Sequence, residues 1–169
     1  PIIQKQGSDR ISVELPGRNI TDKEKESLSR VALLEFGEPA AENEAARWEN
    51  VLGRWKPAAA VLNGATKELT SRYFKENTYV DRDNLGRSRL VFEWDKEGSK
   101  LSEQITSRMI DKPIAIFESA EALLGEDRRP IAPIVRSTIV DRGEITGLSF
   151  NEAKRLSQQL NAGRLPVPL

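Results

Sequence analysis

The sequence predicts an α+β fold, and three observations carry that reading. Ile11, Val13 and Leu15 alternate with Ser12 and Glu14, the period of two that marks a half-buried strand. Leu101, Ile105 and Met109 recur at i, i+4 and i+8, and Phe150, Ala153, Leu156 and Leu160 also share a helix face. The 169 residues are 38% apolar and 31% charged, which suits one folded domain or two small ones rather than a disordered chain.

Each element has its own signal. Residues 2–6 and 11–15 flank the turn Gly7-Ser8-Asp9 and read as a β-hairpin ended by Pro16-Gly17. Thr21 and Glu24 have capping-box spacing and open a short helix whose thin apolar face is Leu28 and Val31. Residues 31–36 follow as a strand, closed by Gly37 and Pro39, so strand, helix and strand read as a crossover unit. Trp48, Val51, Leu52 and Trp55 count as a helical face; Gly53 and Pro57 argue against a long helix, and two short strands around residues 50–53 are the rival. Residues 58–60 and Asn63-Gly64 read as a connecting loop. Residues 68–70 read as strand and 71–76 as a helical turn.

Residues 78–82 and 87–94 are strands joined by the turn Asp83-Asn84-Leu85-Gly86, with Leu90, Phe92 and Trp94 on one face. Asp95 is placed to cap the following helix. Residues 113–117 form a buried strand, 118–129 an acidic loop, and 131–140 the longest β-branched stretch, interrupted by Pro133. Residues 144–146 are a short strand. Ser149 and Glu152 cap the last helix, Gly163 stands at its C-cap position, and residues 165–169 are extended.

Composition excludes several functions. There is no Cys and no His, so thiolate nucleophiles, disulfides, Ser-His-Asp catalysis and zinc sites built on these residues are absent. Lys plus Arg equals Asp plus Glu at 26 each, which gives no global field for nucleic acid or anionic lipid. No apolar run of about 18 residues is present, so no membrane-spanning helix is expected. Opening at Pro1, without an initiator Met, the chain reads as an excised domain.

Candidate sites are few. Asp81, Asp83 and Gly86 resemble the start of a calcium loop, but Leu85 and Phe92 fall where oxygen ligands are needed, so a hairpin turn is the better reading. Glu42 with Glu44, and Glu118 with Glu121, are carboxylate pairs in polar stretches and read as solvated surface. The PxxP spacing of Pro130 and Pro133 reads as a proline-flanked strand. No phosphate loop, dinucleotide fingerprint or nucleophile elbow occurs. Trp55, Tyr73 and Phe74 fall in a polar, loop-rich stretch and are the candidates for contact with another protein. Tyr73 and Phe74 are adjacent, so the two rings cannot point the same way, and at least one is expected to be partly exposed. No metal and no cofactor is expected.

The chain ends carry a family resemblance. Ile145-Thr146-Gly147, Phe150-Asn151-Glu152-Ala153 and the run from Leu160 through Asn161-Ala162-Gly163-Arg164-Leu165-Pro166-Val167-Pro168-Leu169 resemble the end of the first large extracytoplasmic domain of SecD, a subunit of the bacterial protein translocase. Ile2-Ile3-Gln4-Lys5-Gln6-Gly7, the run from Asp9 to Gly17, Leu34-Glu35-Phe36, Trp55-Lys56-Pro57 and Ala132-Pro133-Ile134-Val135 agree with it. Where the family turns through an Asp-Gly pair after the strand at 114–117, this chain has the longer acidic stretch 118–129.

The resemblance implies a ferredoxin-like (split βαβ) base subdomain, residues 1–54 plus 148–169, with an inserted α+β head subdomain, residues 55–147. In such a base the crossover would skip a strand position between the hairpin and residues 31–36. The implied role is that of a binding module, not an enzyme. It would capture an emerging preprotein and assist completion of export driven by the proton-motive force. The partners would be the preprotein and, through the full-length protein, SecF and the SecYEG channel. The place would be the extracytoplasmic (periplasmic) side of the bacterial cell membrane, with nucleic acid excluded and the membrane reached only through helices outside this chain. The alternative is a small α+β ligand-binding or enzymatic domain with a carboxylate site.

Overall fold

The first two strands pair as the alternation requires. β1 (Ile2–Gln6) and β2 (Arg10–Glu14) form an antiparallel hairpin with Gln4 opposite Ser12. The computed structural model describes these two strands as backbone and residues 32–162 throughout. The helix expected after Thr21, Gly163 and the extended tail lie outside the described residues.

β3 (Leu34–Pro39) does not join the hairpin. It is the middle strand of a five-stranded antiparallel sheet with β4 (Trp48–Asn50), β5 (Gly53–Pro57), β10 (Ala115–Glu118) and β11 (Glu121–Ala122), in the order β11-β10-β3-β5-β4. Gly37 faces Pro57 on one side and Ala115 on the other. β2 and β3 stand in different sheets, so the two strands are not directly paired, and the helix expected between them lies outside the described residues.

Two expectations are corrected. Residues 48–55 form a hairpin, not a helix. Asn50 Oδ1 accepts from Leu52 N at 2.8 Å and from Trp55 Nε1 at 3.0 Å, and Gly53 has φ +139°, which a helix cannot contain. Trp48 and Trp55 then face each other across the ladder. The expected loop is a second hairpin, β6 (Ala59–Leu62) and β7 (Ala65–Glu68), turned by Asn63 (φ 53°) and Gly64 (φ 79°). Two consecutive left-handed residues are what a type I′ turn requires.

β8 (Tyr79–Arg82), β9 (Ser88–Glu93) and β12 (Arg142–Thr146) form a three-stranded sheet with β9 in the centre. The β-branched stretch 131–140 forms no strand, only an isolated bridge at Ile134. Pro133 lacks an N–H, so the run meets β10 irregularly, with Ile114 N donating to Pro133 O. α1 (Lys96–Arg108) starts at Asp95, whose carboxylate accepts from Gly98 N at 2.8 Å. α2 (Phe150–Ala162) starts where Ser149 Oγ accepts from Glu152 N. It packs on β8 and β9, and Ser157 Oγ and Asn161 Nδ2 both donate to Thr78 O.

Four rings join the two larger sheets. Phe74 stacks on Phe92 at 4.2 Å, and Trp94 stands edge-on to Phe36, Phe74 and Phe92. Leu101 and Ile105 of α1 and Leu156 of α2 close the same core at 0% exposure. Trp48 and Phe117 stack at 4.3 Å in a smaller core on the other face of the five-stranded sheet. The division expected at 54/55 falls inside the β4–β5 hairpin, and α2, expected with the base, packs on strands expected in the head.

Two local constraints predict stability changes. A Cβ at Gly98 would lie 2.6 Å from Tyr73 Cβ and 3.0 Å from Tyr73 O. Gly98→Ala should therefore destabilise by roughly 1–3 kcal/mol despite alanine's higher helix propensity. A chemical-denaturation midpoint at or above the parent's would contradict this. The β10–β11 turn passes through Ser119 (φ 50°) and Ala120 (φ 69°), residues ill suited to left-handed backbone. The double change Ser119→Asn and Ala120→Gly should raise unfolding free energy by about 1 kcal/mol, read from the same titration.

Candidate functional site

A cavity of about 310 Å³ opens between the two larger sheets. Its apolar floor is Phe36, Phe92, Trp94, Ile114, Ile116 and Ile145, drawn from β3, β9, β10 and β12 and the residues next to them. One wall is the β12 backbone from Arg142 to Ile145, and the other is the stretch 133–139. Trp94 is 4% exposed, and its indole N–H has no hydrogen-bond partner. That orphan donor is costly in an apolar core unless something meets it.

The β12 wall is also a sheet edge. Trp94 N donates to Asp141 O at 2.8 Å, and the register then pairs Phe92 with Gly143 and Leu90 with Ile145. Strand alternation turns the N–H and C=O groups of Arg142, Glu144 and Thr146 away from β9. Among the described residues no backbone group pairs with them. An apolar hollow thus lies beside a row of unsatisfied backbone donors and acceptors. Such a pair of features suits an extended polypeptide better than a small polar substrate.

The rings named from sequence sit elsewhere. Trp55 is 2% exposed, packed with Trp48, Ala115 and Phe117. Phe74 is 1% exposed inside the four-ring cluster. Tyr73 is half-buried against that core, with its Cβ and carbonyl above Gly98. The expectation of rings open to a partner is corrected for Trp55 and Phe74: a cross-strand position and a stacked ring partner bury them. The two most exposed large apolar side chains are instead at hairpin tips, Val51 at 87% and Leu85 at 77%. The β12 edge was missed because an edge is a property of strand order, which alternation does not report. Trp94 is buried on the strand face that alternation predicts, but its unpaired N–H has no sequence signal.

The carboxylates are engaged with cations. Arg47 forms a bidentate pair with Glu68 at 2.8 and 2.7 Å and reaches Glu35 at 3.4 Å. Lys56 binds Glu44 and lies 3.5 Å from Glu38. Arg155 of α2 clamps Glu118 at 3.0 and 2.7 Å and holds Glu152, tying the helix to the strained turn. Its guanidinium is held even more firmly protonated than usual by those two carboxylates. Asp81 pairs with Arg89, and Asp83 accepts from Leu85 N, Arg87 N and Arg87 Nε. No cluster among the described residues has the composition of a metal site.

Comparison with known proteins matches this architecture. A family model of the SecDF P1 head subdomain matches residues 50–167, and one of the N-terminal part of the P1 domain of protein translocase subunit SecDF matches residues 1–41. The chain belongs to the SecD/SecDF P1 domain family. It is 57% identical to protein translocase subunit SecD of Dehalococcoides mccartyi over 99% of this chain and 37% of that protein. The SecD of Aquifex aeolicus is 30% identical over 100% of this chain and 34% of its own length. The chain thus spans about a third of the length of these relatives. A solved structure described as that of SecDF, a membrane component that enhances protein export, superposes with TM-score 0.57 at 26% identity, over 99% of this chain and 80% of that one. The relatives are named for transport rather than for a catalysed reaction. No described helix is long and apolar enough to cross a membrane.

The ion pairs set an acid limit on stability. Lys56 holds the Glu44 carboxyl below the usual 4.5, Arg47 does the same for Glu68, and the Arg87 N–H lowers Asp83 below 3.8. Each carboxylate binds its proton more readily when unfolded, so its contribution is complete above the unfolded value. It is lost as pH falls through about 4.5 towards the lower folded values. Unfolding free energy should be nearly flat between about pH 6 and 8, since there is no His, and fall below about pH 4.5. Denaturation series across pH would expose a neutral-range slope if another group governed stability.

Proposed function

We propose that this domain captures a preprotein as it emerges on the extracytoplasmic (periplasmic) face of the bacterial cell membrane. In doing so it assists completion of export driven by the proton-motive force. It acts as a binding module within a longer subunit that works with SecF and the SecYEG channel. The observation that carries this reading is the unpaired edge of β12 beside the apolar cavity. An export factor handles many sequences, and backbone pairing is indifferent to side-chain identity. The cavity adds apolar contact without demanding one residue type.

The base-and-head organisation is part of the proposal, with residues 1–54 plus 148–169 as base and 55–147 as head. The packing of α2 on β8 and β9 supports reassigning that helix to the head, and the sheet shared by β3, β4 and β5 supports a boundary that does not cut between residues 54 and 55. The contact surface is placed on Arg142, Glu144 and Thr146, with Tyr73 the remaining ring candidate of the three read from sequence. No observation favours an enzymatic reading, since the carboxylate pairs Glu42–Glu44 and Glu118–Glu121 each place one member in an ion pair.

Binding should be weak enough to let the chain move on, in the micromolar-to-millimolar range, roughly −4 to −8 kcal/mol. An extended apolar peptide titrated into labelled protein should shift the amide resonances of residues 142–146 first. Glu144→Pro removes one outward N–H and leaves the bonds of Gly143 and Ile145 to β9, so it should weaken binding by about tenfold with little loss of stability. Shifts confined to β1 and β2, or none at millimolar peptide, would sink the proposed site. Crosslinking of a stalled translocating chain to residue 144 in membranes tests the role in the intact subunit.

A further inference from the structure

Residues 134–140 hold Ile134, Val135, Thr138, Ile139 and Val140, yet they lie in no sheet. The backbone of this strap is held at two points. Val135 N donates to Lys112 O at 2.9 Å, and Val135 O accepts from Asp111 N at 2.8 Å. Ile139 O accepts from Ser102 Oγ at 2.7 Å, and Ile139 N donates to Thr106 Oγ1 at 2.8 Å. Between these anchors Arg136, Ser137 and Thr138 are exposed. Arg136 makes only a 3.9 Å pair with exposed Asp111, an interaction worth little in water.

Ser102 and Thr106 are unusual for a helix face, being 1% and 2% exposed. Thr106 Oγ1 donates to Ser102 O at 2.6 Å, which leaves its lone pair for the Ile139 N–H. The two hydroxyls stand one turn apart. The N–H and C=O of a residue in an extended chain point the same way, so this spacing accepts one residue of any extended backbone. Arg136, Ser137 and Ile139 line the cavity that the β12 edge borders.

We infer that residues 136–140 are a resident occupant of the binding site, holding the place of an incoming extended chain. The arriving chain pairs along β12, displaces the strap beyond its Val135 anchor, and takes the hydroxyls of Ser102 and Thr106 in place of Ile139. This rests on the chain-capture reading above and adds its regulation. Release breaks the two hydrogen bonds at Ile139 and the one between Thr138 and Ser107, and exposes a half-buried isoleucine, while β9, β10 and β12 keep their ladders. Apparent affinity is then the intrinsic affinity scaled by the fraction of molecules with the strap open.

The chain has no Cys, so a locked strap can be built cleanly. Ser107 Oγ and Thr138 Oγ1 lie 3.3 Å apart, and Ser107→Cys with Thr138→Cys places one disulfide there. An extended apolar peptide is titrated into the oxidised and reduced forms of the 169-residue chain by fluorescence anisotropy. The oxidised form should bind at least about tenfold more weakly than the reduced form, with recovery on reduction. Equal affinity in the two forms overturns the strap and leaves chain capture standing. No binding in any form overturns both. Amide exchange of the unsubstituted, peptide-free chain gives a second reading, independent of the disulfide. Ile139 N–H should exchange through an opening below global unfolding, faster than Leu90 N–H. Exchange of both only on global unfolding overturns the strap.

Discussion

Everything in the larger core depends on one stacked ring pair. Phe74 lies flat on Phe92 at 4.2 Å and 9°, and Trp94 and Phe36 close around it. Phe36 belongs to the five-stranded sheet and Phe92 to the three-stranded one, and the two sheets share no ladder. No shared ladder therefore sets their relative position, and ring packing does so in its place. Close-packed rings fix distance and angle together, as a backbone ladder would. The same packing explains Gly98, since α1 must approach Tyr73 and Trp94 more closely than any side chain permits.

Around this core the charged residues act as ties between elements far apart in sequence. Arg47 joins the loop before β4 to β7, Arg108 joins α1 to Glu38 of β3 and to Ala59 O, and Arg155 joins α2 to the β10–β11 turn. Each guanidinium serves two or more acceptors through the several N–H donors of its planar fork. The acidic stretch 118–129 is thus less a loop than a clamped corner. Its turn keeps the tight two-residue geometry with Ser119 and Ala120, and the Arg155 clamp on Glu118 holds one side of it in place.

Local patterns reported the elements faithfully where one face is buried. Strand β9, with Leu90, Phe92 and Trp94 on one side, and both described helices with their Asp95 and Ser149 starts are where periodicity places them. The failures share a cause. Trp48 and Trp55 fit helical spacing by coincidence, and only Asn50 and Gly53 reveal the turn between them. Asn63-Gly64 carried a hairpin signal that the alanines beside it obscured. Residues 131–140 have the composition of a strand, but Pro133 and the lack of a neighbouring edge in register deny them a ladder. The site was the least legible part. An unpaired edge, an orphan indole N–H and a cavity between sheets are consequences of strand order and packing, whereas Trp55 and Phe74 looked available only because their sequence neighbours are polar.

The period of β12 has a mechanical consequence. Its outward groups recur every second residue, roughly every 6.8 Å along the strand. A polypeptide shifted by two residues meets the same donors and acceptors in the same geometry, so successive registers are nearly equal in energy. A shift of one residue turns every side chain to the opposite face and loses the cavity. The edge thus behaves as a toothed rail whose step is set by backbone geometry alone. On the proposed reading, a chain paired there shifts in two-residue steps between equivalent registers, and its direction is decided by whatever pulls or blocks its ends.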